Sequence, residues 1–212
     1  MLSFRVLGLG VLVLAYSLVL PVGGSIAVAA NGPPMVDEKA KDFELKSITG
    51  DKVSLSGIAE QTPVVLVVLR GFPGYQCPAC NQQVVQFLEK AEKFKDAGVQ
   101  VLIVYPGPAR DLARHAQQLV RDKTIPDHFH LLLDPDYSFT KAYQLRWNAR
   151  NETAYPATFV IQQDLQITFA KVSKSHGGRT MPDEVLKALE TTAKAQSRTD
   201  ATSAPAVKRR SL

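Results

Sequence analysis

Residues 64–105 read VVLVVLRGFPGYQCPACNQQVVQFLEKAEKFKDAGVQVLIVY, and this stretch decides the fold. Its first end, 64–69, is a continuous run of β-branched and other apolar residues, and its second, 99–105, is apolar except for Gln100, as in strands that a parallel sheet buries on both faces. Between them the apolar residues recur at helical spacing before Gly98: Val84, Phe87, Leu88, Ala91 and Phe94. A strand, a helix and a second parallel strand form a right-handed β-α-β unit, which predicts an α/β fold class.

The flanking sequence predicts a central mixed β-sheet flanked by helices, with an N-terminal β-hairpin. Residues 40–55 alternate apolar and polar side chains around a Gly50-Asp51 turn, which is typical of a hairpin. Further helices are expected near 109–121, 136–144 and 182–195, and further strands at 129–133, 157–162 and 165–172, the last two forming an antiparallel pair. Together these elements make one domain over residues 36–195.

The first 29 residues predict export. Arg5 precedes an apolar run over residues 6–22, and Ala27 and Ala29 supply the small residues that a signal peptidase accepts. The segment 1–29 is therefore expected to be a secretory signal peptide cleaved after Ala29, or an uncleaved N-terminal membrane anchor. Either way the domain is expected in the periplasm or another extracytoplasmic compartment, where two cysteines can remain oxidised.

The basic charge of the chain is concentrated at its ends. The net charge is +5, but residues 197–212 contribute a net +3 and Arg5 another +1. The middle keeps about +1, which is too little for the continuous basic surface that binds phosphates, so no nucleic-acid partner is expected. Residues 196–212 are rich in Ser, Thr, Ala and basic side chains without an apolar period, which predicts a disordered basic tail.

The two cysteines stand in the sequence Cys77-Pro78-Ala79-Cys80, between the first buried strand and the helix that follows it. This is the carboxyl edge of the sheet, where open α/β sheets place their sites. Proline is favoured at the first helical position, so Pro78 places Cys77 at the N-cap, where the helix dipole and free N–H groups lower the pKa of its thiol. The two-residue spacer brings Cys80 within reach of the Cys77 sulfur. The motif therefore predicts Cys77 as the nucleophile and Cys80 as the resolving cysteine.

Two other interpretations of the cysteine pair stay open. A structural disulfide would close a loop too short to constrain the unfolded chain much. A metal site would need further ligands, but the chain has no second Cys-x-x-Cys, and its four histidines lack a paired metal spacing: His115, His128, His130 and His176. The strand-loop-helix context favours redox chemistry over both, without a metal or other cofactor.

Three separated blocks read AKDFEL at 40–45, RGFPGYQCPACNQ at 70–82 and YPATFVI at 155–161. In this order they resemble the alkyl hydroperoxide reductase/thiol-specific antioxidant (redoxin) family of the thioredoxin-like superfamily. The resemblance spans residues 36–193. It implies a thioredoxin-like fold, peroxiredoxin-like or antioxidant activity, and a redox-active cysteine pair that forms a disulfide bond.

Departures from the family pattern bear on the activity. In this family the proline before the Thr-Phe-Val-Ile strand is commonly cis and faces the cysteines, which implies that Pro156 is cis and aligns an extended substrate. Peroxiredoxins usually carry Pro-x-x-x-Thr-x-x-Cys, whereas Arg70 and Gly74 occupy those positions here, and Pro156 stands where a charge-stabilising arginine usually sits. Arg70 and the N–H groups at the helix start are left as candidates for peroxide chemistry. The flexible loop at 176–179 could bring His176 and Arg179 to the site, but it is expected to face water.

The sequence therefore predicts an enzyme, a thiol-disulfide oxidoreductase that exchanges disulfides in exported proteins through Cys77 and Cys80. The nearest alternative is a thiol peroxidase. The substrate is accordingly a protein disulfide or a hydroperoxide, a separate electron donor completes the cycle, and residues 6–22 offer a membrane attachment. A different class is a thioredoxin-like copper-delivery module, in which thiolates select Cu(I). That family spaces its cysteines by three residues and adds a histidine near the Pro156 position, and this chain has neither.

Overall fold

The computed structural model describes residues 32–203, with side chains through residue 198. The predicted signal peptide or anchor at 1–29 and residues 204–212 of the predicted tail lie outside this range. Within the described residues no helix is both long enough and apolar enough to cross a membrane.

The strands of the described range form one mixed sheet. They are β1 (Glu44–Ser47), β2 (Lys52–Ser54), β3 (Val64–Val68), β4 (Gln100–Gly107), β5 (Phe129–Pro135), β6 (Ala157–Ile161) and β7 (Ile167–Val172). Across the sheet they lie in the order β2-β1-β5-β4-β3-β6-β7. β3, β4 and β5 are parallel neighbours, and the other pairings are antiparallel. The predicted mixed sheet and N-terminal hairpin are confirmed, and the hairpin joins the sheet because β1 also pairs with β5.

Helices cover both faces of this sheet. They are α1 (Leu55–Ala59), α2 (Pro78–Glu89), α3 (Ala91–Asp96), α4 (Leu112–Val120), α5 (Ser138–Ala142) and α6 (Pro182–Ser203). Because side chains alternate along a strand, Val65 and Val67 of β3 point to a face covered by α2, α3, α4 and α6, whereas Leu66 points to the face covered by α1 and α5. Every residue of β3 is buried, as its continuous apolar run predicts.

Two helices differ from the sequence-based prediction. The single amphipathic helix expected after the cysteines is interrupted at Lys90, whose φ of −106° and ψ of 13° separate α2 from α3. The last helix, expected over 182–195, continues through Ser203, so residues 196–203 of the predicted tail are helical. The Gln196 amide donates to the Gln162 side chain at 3.2 Å, which ties this extension to the end of β6.

The chain leaves β3 through a tight turn that depends on Gly71. Gly71 has a φ of +84°, a conformation that L side chains rarely adopt, and a Cβ there would lie 1.9 Å from the Pro106 carbonyl oxygen. The next residue, Phe72, donates its N–H to the same carbonyl at 2.9 Å. These contacts fix the loop that carries the cysteines against the end of β4.

Candidate active site

Cys77 and Cys80 lie at the start of α2, beyond the carboxyl end of β3. Cys77 is the N-cap residue, with extended backbone, and Pro78 is the first helical residue, as the motif predicts. The Cys77 carbonyl accepts the N–H groups of Cys80 at 3.0 Å and Asn81 at 3.1 Å. Both thiols are free, and the exposed fraction is 3% for Cys77 and 0% for Cys80. The reactive sulfur is therefore nearly covered.

The two thiols differ in acidity although they share one helical turn. A hydrogen bond from the Cys80 thiol lowers the pKa of Cys77 and outweighs its burial, which acts in the opposite direction. With the Cys80 N–H, the Arg70 guanidinium and the charge of Arg179, this brings the pKa of Cys77 to about 5. Burial raises the pKa of Cys80 well above its usual range, and its hydrogen bond to Cys77 adds to the rise. At neutral pH Cys77 is a thiolate and Cys80 a thiol that donates to it.

Arg70 follows β3 closely and is buried beside the cysteine loop. Its side chain is 3% exposed, and its Nε donates to Oε2 of Glu152 at 2.6 Å. Its Nη2 donates to the Asn151 carbonyl at 2.7 Å and to the Tyr75 hydroxyl at 2.9 Å. Burial lowers the pKa of Arg70, but the hydrogen bonds with Glu152, Tyr75 and Cys77 and the charge of Glu152 together outweigh this and raise it, so the guanidinium next to Cys77 stays charged.

A second arginine reaches the nucleophile from the loop before α6. Nη2 of Arg179 donates to Cys77 Sγ at 3.8 Å, and its Nη1 donates to Oε1 of Gln83 on α2 at 2.9 Å. The expectation that the 176–179 loop faces water is wrong for Arg179, which is half-buried, although His176 is exposed. No local pattern signals this contact, because Arg179 and Cys77 are 102 residues apart.

The carboxylate of Glu152 contacts both loops that carry these arginines. Its Oε2 accepts from Arg70, and its Oε1 accepts from Nε2 of His176 at 2.8 Å. Burial raises the pKa of Glu152, but the hydrogen bonds from Arg70 and His176 outweigh this and hold it below its usual range. The carboxylate therefore stays ionised at neutral pH. Glu152 belongs to no sequence motif and cannot be singled out from the sequence alone.

Pro156 does not take the form that the family resemblance implies. No peptide bond within residues 32–203 is cis, so the expectation of a cis-proline is wrong. Two backbone groups beside this peptide bond are already paired: the Tyr155 N–H donates to the Leu145 carbonyl, and the Pro156 carbonyl accepts from the Ser173 N–H, both at 2.8 Å. Pro156 is also buried. Its carbonyl is therefore already occupied and does not face an extended substrate.

The four histidines that the sequence offers as metal ligands are engaged separately. His115 stacks on the Phe72 ring with the centroids 3.6 Å apart. His128 and His130 hydrogen-bond at 3.0 Å and 2.9 Å to a backbone carbonyl of α3 and to a side chain of β4, and His176 contacts Glu152. In the part of the chain that the structure describes, no three His, Cys, Asp or Glu side chains form a group that could hold a metal ion.

Fold and site together define a thiol-based oxidoreductase. A thiolate at a helix N-cap can attack an electrophilic sulfur or oxygen atom, and a thiol one turn along the helix can resolve the product as a disulfide. Two guanidinium groups beside the sulfur can stabilise negative charge that develops during the attack. The mixed seven-stranded sheet with flanking helices is a thioredoxin-like α/β fold.

The chain belongs to the AhpC/TSA family, whose sequence model matches residues 36–170. A peroxiredoxin-named protein of Mycobacterium tuberculosis (strain H37Rv) is 28% identical over 145 residues, covering 63% of this chain and 82% of the relative. The mitochondrial 2-Cys peroxiredoxin from Plasmodium falciparum has a similar structure, with a TM-score of 0.61 at 18% identity over 77% of this chain and 96% of that one. Peroxidoxin BcpB from Mycobacterium tuberculosis has a TM-score of 0.57 at 23% identity over 75% and 96%. The resemblance read from the sequence is confirmed, and the protein is a thiol-dependent enzyme.

Proposed function

We propose that this protein is a thiol peroxidase, in which Cys77 reduces a hydroperoxide and Cys80 resolves the product. The observation that carries the proposal is the 3.8 Å contact between Arg179 Nη2 and Cys77 Sγ. Negative charge develops on the leaving oxygen as the O–O bond breaks, and a preorganised cationic donor stabilises it. The sequence favours disulfide exchange because the family positions for such groups hold Gly74 and Pro156. Arg179 supplies the missing donor from another loop.

The reaction proceeds in three steps: oxidation of Cys77, formation of the Cys77–Cys80 disulfide, and reduction of that disulfide. The Cys77 thiolate attacks the terminal oxygen of the hydroperoxide, the O–O bond breaks, and the leaving alkoxide or hydroxide takes up a proton. Cys77 is thereby oxidised by two electrons to a sulfenic acid. The Cys80 thiol then attacks the Cys77 sulfur, its proton combines with the departing hydroxide, and water and the Cys77–Cys80 disulfide are formed. An external dithiol reduces this disulfide by two electrons and is itself oxidised to a disulfide. This restores the Cys80 thiol and the Cys77 thiolate and releases one proton, which balances the proton taken up in the first step.

Burial of the nucleophile supports a small substrate. The 3% exposure of Cys77 leaves little surface for a folded partner, whereas a hydroperoxide is small enough to enter beside Arg179. The Tyr155 N–H, which precedes Pro156 and would pair with an extended polypeptide, is taken by the Leu145 carbonyl. Both features favour peroxide over a protein disulfide as the oxidising substrate.

Thiol–disulfide exchange is the second candidate, and the opposite pKa shifts of the two cysteines favour it. Attack on a substrate disulfide also requires a thiolate at Cys77, and a protonated Cys80 suits the later resolution of the mixed disulfide. For either activity we propose export, because Arg5 and the apolar run at 6–22 have the pattern of a secretory signal peptide or an uncleaved membrane anchor.

Peroxide consumption by the full chain, with a dithiol reductant in excess, tests the proposal. Cys77→Ser is expected to reduce kcat/KM for hydrogen peroxide by at least about 1000-fold, because it removes the attacking thiolate. After removal of the reductant, Cys80→Ser is expected to keep the first step and to accumulate a Cys77 sulfenic acid, which dimedone traps. The chain has two cysteines, so the site of trapping in Cys80→Ser is unambiguous.

The two candidates separate in a parallel assay. A wild-type rate of peroxide consumption no faster than that of Cys77→Ser would overturn the peroxidase proposal. Reduction of a protein disulfide that depends on Cys77, without peroxide consumption, would assign the protein to disulfide exchange instead. Circular dichroism of both cysteine variants checks that the fold survives the substitutions.

A further inference from the structure

The loop that carries Glu152, residues 147–153, has a backbone that is held in place by hydrogen bonds. Nη1 of Arg146 donates to three carbonyl oxygens of this loop, those of Trp147, Glu152 (3.1 Å) and Thr153 (2.5 Å). The Trp147 N–H donates to the Thr153 carbonyl at 3.1 Å and closes the loop. The Trp147 ring also stacks on Tyr155, with the centroids 4.7 Å apart. Glu152 therefore projects from a fixed segment.

From this loop the carboxylate contacts two other loops. Oε2 pairs with Nε of Arg70 at 2.6 Å, in the segment between β3 and α2. Oε1 pairs with Nε2 of His176 at 2.8 Å, in the segment between β7 and α6. The side chains of Arg70 and Glu152 are only 3% and 10% exposed. Because water screens this pair little, its geometry is held more firmly than that of a surface ion pair.

His176 connects the carboxylate to the second arginine. Nε of Arg179 donates to the His176 carbonyl at 3.1 Å, so the two residues keep a fixed separation across the intervening glycines. The His176 ring also lies 5.2 Å from the Trp147 ring, which belongs to the Glu152 loop. From this anchored position the Arg179 guanidinium reaches Cys77 Sγ.

We propose that Glu152 is a positioning residue that holds Arg70 directly, and Arg179 through His176, against the Cys77 sulfur. No hydrogen bond joins Glu152 to the cysteines within the described side chains, so it acts through the two arginines. Donors that are already in place stabilise developing charge more than mobile ones do. The inference rests on the proposed function only in taking Cys77 as the reacting atom, and it holds for peroxide and for a disulfide.

The pH dependence of Cys77 alkylation tests this role. Glu152→Gln keeps the shape of the side chain and removes its charge. In the reduced full chain, the pH midpoint of alkylation by iodoacetamide is expected to rise by about one pH unit, because the cations beside the thiolate are less firmly held. The kcat/KM for hydrogen peroxide is expected to fall about 10-fold. Glu152→Asp restores the charge on a shorter side chain and is expected to recover part of both losses.

Glu44→Gln is the matched control. It makes the same chemical change in an exposed ion pair with Lys52 on the β1–β2 hairpin, where both side chains are more than half exposed. This variant is expected to leave the alkylation midpoint and kcat/KM at their wild-type values.

Unchanged alkylation and kinetics in Glu152→Gln, with a reduced free energy of unfolding, would make the ion pair merely structural and overturn the proposal. If Glu152→Gln does not fold, His176→Ala takes its place, because it removes the donor to Glu152, and the His176 side chain is 57% exposed, so its loss spares the core. We expect a smaller upward shift of the same midpoint, and an unchanged midpoint would then overturn the proposal. Alkylation needs only the Cys77 thiolate, so a failure of wild-type peroxide consumption would count against the proposed function alone.

Discussion

Two buried ionisable side chains lie near the carboxyl edge of the parallel strands, Asp134 in β5 and Arg70 beyond the end of β3. Asp134 finds its partners nearby in the sequence, and Arg70 finds its ion-pair partner far away. Asp134 is 0% exposed and accepts from the turn that follows it, including the N–H groups of Phe139 at 2.8 Å and Thr140 at 2.9 Å. Arg70 is 3% exposed, but its ion-pair partner Glu152 is 82 residues away in the sequence.

The difference separates a structural charge from a functional one. Asp134 supplies the acceptor that the free N–H groups at the start of α5 require, so its effect ends with that five-residue helix. Arg70 joins two loops and faces Cys77, so its charge is available to the reaction. A buried ion pair adds little net stability, because the cost of desolvation offsets the attraction, but removal of one partner leaves the other charge uncompensated. We therefore expect substitution of Asp134 to change stability alone, and substitution of Arg70 to change reactivity together with some loss of stability.

Asp134→Ala is expected to have the largest effect. It leaves two buried N–H groups without an acceptor, and at about 1–3 kcal/mol for each group the free energy of unfolding should fall by about 4 kcal/mol. Urea unfolding of the reduced protein measures this loss, and Asp134→Asn, which keeps one acceptor oxygen, should lose less. The pH midpoint of Cys77 alkylation should stay at the wild-type value. A shifted midpoint would mean that Asp134 also acts on the site, and the contrast with Arg70 would fail.

Arg70→Met should show the reverse pattern. Methionine has no charge, so kcat/KM for hydrogen peroxide is expected to fall about 100-fold, as when one charge-stabilising donor is removed. The pKa of Cys77 should rise because the thiolate loses a hydrogen-bond donor. The loss of unfolding free energy should be smaller than for Asp134→Ala, because Glu152 keeps its contact with His176. Wild-type kinetics combined with a large loss of stability would place Arg70 beside Asp134 as a structural charge.

The same contrast between local and distant partners explains which parts of the fold and of the site can be predicted from the sequence. The apolar runs of β3 and β4 and the helix start at Pro78 are signalled by neighbouring residues, and the structure places Cys77 at the predicted N-cap. Glu152 and Arg179 reach the site through contacts that span 82 and 102 residues. No periodicity or spacing rule reaches over such distances, so neither residue could be assigned to the site in advance.

Two other differences concern features that the sequence pattern does not signal. The apolar period of the helix after the cysteines continues across Lys90, although the backbone breaks there between α2 and α3. At Pro156 the family resemblance gives the location of the residue but not the hydrogen bonds of its neighbours. In this chain the Leu145 carbonyl accepts from the Tyr155 N–H, and the Ser173 N–H donates to the Pro156 carbonyl.

The acidity of Cys77 makes the stability of the reduced protein depend on pH. The pKa of Cys77 is about 5 in the folded protein and 9.0 without its folded environment, so the unfolded chain binds more protons between these values. The stabilisation is fully present above about pH 9 and is lost as the pH falls through about 5. Below about pH 8 the thiol of Cys80 is protonated in both states and does not oppose this trend.

From pH 5 to pH 8 the free energy of unfolding should therefore rise by at least about 1.4 kcal/mol more in the wild-type protein than in Cys77→Ser. This difference corresponds to one pKa unit. Urea unfolding in the presence of reductant at the two pH values measures the difference. Equal gains in the two proteins would contradict a low pKa at Cys77 and, with it, a role for the buried charge of Arg70 in the acidity of the thiol.

Tyr75→Phe should have the smallest effect, and it tests which partner fixes Arg70. Tyr75 is 48% exposed, its hydroxyl accepts from Arg70 Nη2 at 2.9 Å, and the guanidinium carbon lies 5.3 Å from the ring centroid. Phenylalanine keeps the ring, and water can replace the acceptor, so the free energy of unfolding should fall by no more than about 0.5–1 kcal/mol. Because Glu152 and Asn151 still accept from Arg70, kcat/KM should fall by no more than about threefold. A drop close to that of Arg70→Met would mean that an exposed, local hydroxyl fixes the guanidinium. The difference between Arg70 and Asp134 would then arise from what each charge faces, not from how far away its partner lies in the sequence.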